Sequence, residues 1–97
     1  MTEQQELTLQ RAIDLHGSDH QIDKAIEELV ELLHALIEFK KGGAILDNAL
    51  VRDVQDETAD VTIMMHQLAL LFGTEQVQER VDFKIERLAR RLDRWPG

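Results

Sequence analysis

Gln21-Ile22-Asp23-Lys24-Ala25-Ile26-Glu27-Glu28-Leu29-Val30-Glu31-Leu32-Leu33-His34-Ala35-Leu36-Ile37 is the stretch that decides the fold. Its apolar positions Ile22, Ile26, Leu29, Leu33 and Ile37 step by four, three, four and four, the interval at which side chains return to one side of an α-helix. That stripe is the expected core face of a helix that starts near Asp19, with Ser18 or Asp19 as its N-cap, and ends at Lys40-Lys41-Gly42-Gly43. Upstream, Thr2 to His16 reads as a first helix, stopped by Gly17, the residue type that most easily takes the turn after a helix. Downstream, a short linker containing Asp47 and Asn48 leads to a third helix from about Leu50 to Phe72, with Leu50, Val54, Val61, Met64, Met65 and Leu68 on one face. Gly73-Thr74 breaks it. A fourth helix, capped by Thr74, is expected to bury Val77, Val81, Ile85, Leu88 and Leu92, and Trp95-Pro96-Gly97 is a tail. No strand pattern is present, so the fold class is all-α, a four-helix bundle.

Composition sets limits on this bundle. A chain of 97 residues is one domain, spanning 1–97, and buries only about two-thirds of its unfolded surface. It has no cysteine, so neither disulfides nor thiolate-bound zinc can brace it. Homo-oligomerisation, as a dimer or a tetramer, is the expected way to complete the core. The N-terminal MTEQQELTLQ has no basic flank and no apolar run, and nothing approaches the roughly 20 apolar residues that cross a bilayer. A soluble, cytoplasmic protein without a membrane partner is expected. Nineteen acidic against eleven basic residues give a net charge of -8, which argues against a nucleic-acid polymer as partner.

The acids are patterned. Glu28 with Glu31, and Glu57 with Asp60, are each three residues apart, so each pair projects from adjacent turns on one side of its helix. At about 100° per residue, Glu57 falls inside the apolar arc of its helix, near Leu50, Val61, Met64 and Leu68, and Asp60 lies at the edge of that arc. A carboxylate directed into an apolar face costs several kcal/mol unless it is protonated, paired or metal-bound. Glu28 borders its own arc, whereas Glu31 turns toward solvent. Four carboxylates without a thiolate suit a hard cation, Mg2+ or in its place Mn2+.

The fourth helix supplies the opposite charge, because Arg80, Lys84, Arg87 and Arg91 recur at four, three and four residues along one line. Lys84 shares the arc of Val77, Val81 and Leu88. These cations could pair locally, as Glu86 and Arg90 could, or bind metal-coordinated phosphates.

Glu28-x-x-Glu31, followed after 25 residues by Glu57-x-x-Asp60, resembles the signature of the MazG-like all-α nucleotide pyrophosphohydrolases. His16-Gly17 and Gln21 through Leu32 look like that family's helix with the first acid pair, and Lys84 through Arg91 like its terminal basic segment. The resemblance implies a MazG-like homodimer or homotetramer with Mg2+ held by Glu28, Glu31, Glu57 and Asp60. It implies hydrolysis of a nucleoside triphosphate to monophosphate and pyrophosphate, with Lys84, Arg87 and Arg91 as phosphate contacts. Asp82 departs from the pattern, since many members have asparagine two residues before the lysine. Glu31, the acid least committed to the core, is the candidate base that activates water. Two other readings compete: a non-catalytic interaction scaffold laced by salt bridges, and a di-iron carboxylate bundle suggested by Glu31-Leu32-Leu33-His34. The second needs an ExxH on two helices, and only one is present.

Overall fold

A computed structural model describes residues 1–42 and 48–96, and contains four helices: α1 Glu3–His16, α2 Ser18–Lys41, α3 Asn48–Phe72 and α4 Thr74–Asp93. No strand occurs among the described residues. The expectations for Gly43, Asp47 and Gly97 fall outside them. No helix among the described residues is long and apolar enough to cross a membrane.

Local sequence explains the boundaries. Thr2 and Gln5 form a capping box: the Thr2 hydroxyl accepts from the Gln5 amide at 3.1 Å, and the Gln5 side-chain oxygen accepts from the Thr2 amide at 2.9 Å. At both single-residue joints a glycine stands at positive φ, +88° at Gly17 and +110° at Gly73, which other residues adopt only with strain. Each glycine donates back to the helix it ends, Gly17 to the Ile13 carbonyl at 2.8 Å and Gly73 to the Ala69 carbonyl at 2.9 Å. Each is also the N-cap of the helix it opens, without a side-chain cap. Ser18, Asp19 and Thr74 therefore do not cap as expected. Ser18 and Thr74 are already the first helical residues, because one glycine both stops and restarts the chain.

α2 and α3 form an antiparallel hairpin, with Gln21 opposite Gln67 near one end and Glu28 near Glu57 further along. α1 packs across the end where α2 begins and α3 finishes. The buried apolar residues are Leu9, Ile13, Ala25 and Met64. Between them the Gln21 amide donates to the Gln67 side-chain oxygen at 2.6 Å, and the Gln67 amide donates to the Leu9 carbonyl at 3.3 Å. That chain of hydrogen bonds ties three helices together at a buried point.

Two expectations about the core are corrected. The α2 stripe of Ile26, Leu29, Leu33 and Ile37 is exposed, and the face packed on α3 is instead Gln21, Ala25, Glu28 and Leu32. Ala25 is buried on this face, and its polar members Gln21 and Glu28 have partners in Gln67 and Lys24. α4 likewise buries nothing: its stripe from Val77 to Leu92 is open, since α4 contacts α3 alone among the helices. The radius of gyration, 16.8 Å, reflects this, against about 13 Å for a compact chain of this length.

Candidate metal centre

The α2–α3 hairpin brings Glu28, Glu31 and Glu57 together. One carboxylate oxygen from each lies within 4.8 Å of the others. The i, i+3 spacing supplies the first two from one helix, and the antiparallel register carries Glu57 across to meet them. Their surroundings differ in kind. Glu28 is buried, Glu57 half-buried and Glu31 exposed. Asp60, one turn beyond Glu57, is exposed and is not among the three that converge.

Two oxygens in this group have no satisfied bond. Glu28 Oε2 and Glu57 Oε2 are both buried and without a hydrogen-bond partner. Leaving a buried acceptor unpaired costs about 1–3 kcal/mol, and more where it is charged. The remaining Glu28 oxygen, Oε1, lies 3.0 Å from Lys24 Nζ. That contact, with the charge of Glu27, raises the Lys24 ammonium above its usual 10.5. Glu31 is raised above its usual 4.5, chiefly by the negative charge of Glu28, then by partial desolvation, a hydrogen bond with Glu28 and the charge of Glu57. The three carboxylates thus repel one another, with Lys24 paired to one oxygen of Glu28.

The donor set fits a small divalent ion. An ion held at about 2.1 Å from each ligand places opposite oxygens about 4.2 Å apart, which three oxygens within 4.8 Å satisfy with little movement. Glu31 and Glu57 also line a cleft of about 810 Å³, continued by Val30, His34, Ala35, Glu38, Leu50 and Asp53. The centre therefore opens to a space large enough for a small organic ligand.

The basic row lies elsewhere in the single chain. Lys84, Arg87 and Arg91 are exposed on α4, which does not contact α2. Among the described residues none of the three forms an ion pair with the converging carboxylates. The expected local pair is present, Arg90 to Glu86 at 3.1 Å, and Arg80 stacks over Phe83 with its guanidinium 5.1 Å from the ring centre. All four histidines are on the surface; His34 reaches Glu38 at 3.6 Å and is not part of the carboxylate group.

Lys24 escaped the sequence reading as a member of this centre. Its signal was present, a lysine four residues before Glu28. Gln21 and Gln67 escaped it too, since neither belongs to an apolar period. Comparison with known proteins adds no relation: no family model matches the chain, and no curated protein and no solved structure matches it.

Proposed function

We propose that the chain is a Mg2+-dependent nucleoside triphosphate pyrophosphohydrolase of MazG-like type, acting as a homo-oligomer. The observation that carries this reading is the pair of buried, unpartnered oxygens on Glu28 and Glu57, two residues whose carboxylates converge with that of Glu31 beside an open cleft. A salt-bridged scaffold would give those oxygens cations, and Lys24 answers only the other oxygen of Glu28.

Glu28, Glu31 and Glu57 would hold the ion, with Asp60 as a fourth ligand on its i, i+3 spacing from Glu57. When bound, the ion neutralises phosphate charge and lowers the pKa of an adjacent water. Glu31, the exposed member of the three and the one least committed to the core, would take the proton of the attacking water. Water oxygen attacks the α-phosphorus, the bond from that phosphorus to the bridging oxygen breaks, and pyrophosphate leaves with the bonding electrons. Lys84, Arg87 and Arg91 would bind the phosphates and offset charge in the transition state. The unpartnered α4 stripe supports the oligomeric part of the reading.

A panel of canonical and damaged ribo- and deoxyribonucleoside triphosphates, incubated with Mg2+, tests it. Monophosphate and pyrophosphate in equal amounts are expected from at least one substrate. Orthophosphate as the product would contradict cleavage at the α-phosphorus, and no turnover across the panel would remove the proposal.

A further inference from the structure

Lys24 is a cation placed at the edge of a group of carboxylates that would themselves bind a cation. Its ammonium lies 3.0 Å from Glu28 Oε1 and 3.8 Å from Glu27 Oε2, held there by the spacing of one helical turn. Among the described residues it is the one cation paired with any of the three converging carboxylates.

Stability gains little from this contact. A lysine four residues before a glutamate is the less favourable order for such a pair on a helix, and the lysine side chain is 44% exposed. For the metal centre the charge is a direct disadvantage, since it repels any divalent ion held beside it. The contact must act through what it does to Glu28.

Lys24 separates the two oxygens of that carboxylate. Oε1 is engaged by the ammonium, while Oε2 is buried and has no partner. Glu28 therefore has one oxygen free for an ion and not two. Burial on the face of α2 that packs on α3 leaves the carboxylate little room to turn and offer both.

The number of oxygens that a carboxylate offers bears on which ion it holds. Mg2+ takes ligands at about 2.1 Å in a strict octahedron, which single oxygens from separate carboxylates satisfy. Ca2+ takes about 6–8 oxygens at about 2.3–2.6 Å and readily uses both oxygens of one carboxylate.

We infer that Lys24 sets the ion selectivity of the carboxylate centre: by occupying Glu28 Oε1 it holds Glu28 to a single metal bond, which favours Mg2+ or Mn2+ over Ca2+. Lys24 is thus a positioning residue, acting through Glu28. The inference rests on the metal centre of the proposed function, and it does not depend on which nucleotide is cleaved.

The test needs no substrate. Mn2+ bound to the protein is followed by electron paramagnetic resonance and displaced by Ca2+ or by Mg2+, in wild type, Lys24→Met and Lys24→Arg. Because Lys24 is partly exposed, both variants should keep the wild-type helical spectrum. Lys24→Met should bind every divalent ion more tightly, and its affinity for Ca2+ relative to Mg2+ should rise about tenfold. Lys24→Arg, which keeps a cationic donor at that position, should keep the wild-type ratio. A lysine acting by charge alone, or by helix stability alone, would move both ions together and leave the ratio unchanged. An unchanged ratio in Lys24→Met that still binds Mn2+ would therefore overturn the inference and leave the metal centre standing. A ratio shifted as far by Lys24→Arg would overturn it too. No uptake of Mn2+ by the wild type would remove the metal centre and this inference with it.

Discussion

Replacing Glu57 by glutamine should stabilise the metal-free protein and destabilise it, relative to wild type, once Mg2+ is present. Glu57 and Glu28 hold carboxylate oxygens within 4.8 Å, and each has a buried oxygen with no partner. At that separation two unit charges repel by about 0.9 kcal/mol at the dielectric constant of water and about 3.5 kcal/mol at an effective value of 20. Lys24 lies 3.0 Å from Glu28 and offsets part of this, which places the net relief near the low end, about 1 kcal/mol. The glutamine amide can also donate to the orphaned Glu28 oxygen. A gain of about 1 kcal/mol raises Tm by about 4–8 °C for a domain near this size. In saturating Mg2+ the order reverses. Ion at a hundred times its Kd stabilises the wild type by about 2.7 kcal/mol, a gain that the variant loses with its ligand. The assay is thermal melting followed by far-ultraviolet circular dichroism, at one protein concentration, in chelator and in Mg2+. A lower Tm for Glu57→Gln in chelator would refute the reasoning, because it would mean that Glu57 is already paired with a cation.

Further outcomes follow from particular side chains. Gln67→Ala should destabilise the protein by about 1–3 kcal/mol, measured by urea unfolding, because it strands the Gln21 amide at a buried junction and removes the bond from α3 to the Leu9 carbonyl of α1. The metal-free protein should also gain stability as pH falls from neutral toward the carboxylate range. Glu31 is raised in the folded state, so its favourable contribution is complete below the usual 4.5 and is lost as pH rises through the raised value. Glu31→Gln should flatten that part of the Tm-against-pH curve, and an unchanged curve would assign the effect to other groups. Asp60→Asn should weaken Mn2+ binding less than Glu57→Gln does, since Asp60 is exposed and apart from the converging three; equal losses, by calorimetric titration, would make it a full ligand.

The sequence made the helices and the acidic centre readable to different depths. The two joints followed from glycine at positions 17 and 73, which is local chemistry, whereas the Thr2–Gln5 box was not read and the caps expected at Ser18 or Asp19 and Thr74 gave way to those glycines. Glu57 was legible because helical phase alone turned a charge into an apolar arc, and the fold buries one of its oxygens there. The face of α2 was not legible. Periodicity found its apolar stripe correctly, but a stripe records that something must cover it and not that the same chain does. Here the intrachain contact goes to the face of Gln21, Ala25 and Glu28, whose partners are set by the register against α3 and by Lys24. The same reasoning explains α4, whose five-residue apolar stripe was read as buried and is open in one chain. Glu28 illustrates the limit most plainly: wheel geometry put it at the margin of an arc, and packing made it a buried carboxylate at 7% exposure.

Titration of Mn2+ followed by electron paramagnetic resonance reads out whether Glu28, Glu31 and Glu57 together bind a divalent metal. The free-ion signal should be lost stoichiometrically on adding wild-type protein, Mg2+ should restore it by competition, and Glu28→Gln or Glu57→Gln should abolish the uptake while preserving the helical spectrum. Full uptake by folded Glu57→Gln protein, or none by the wild type, would show that these carboxylates are not a metal centre.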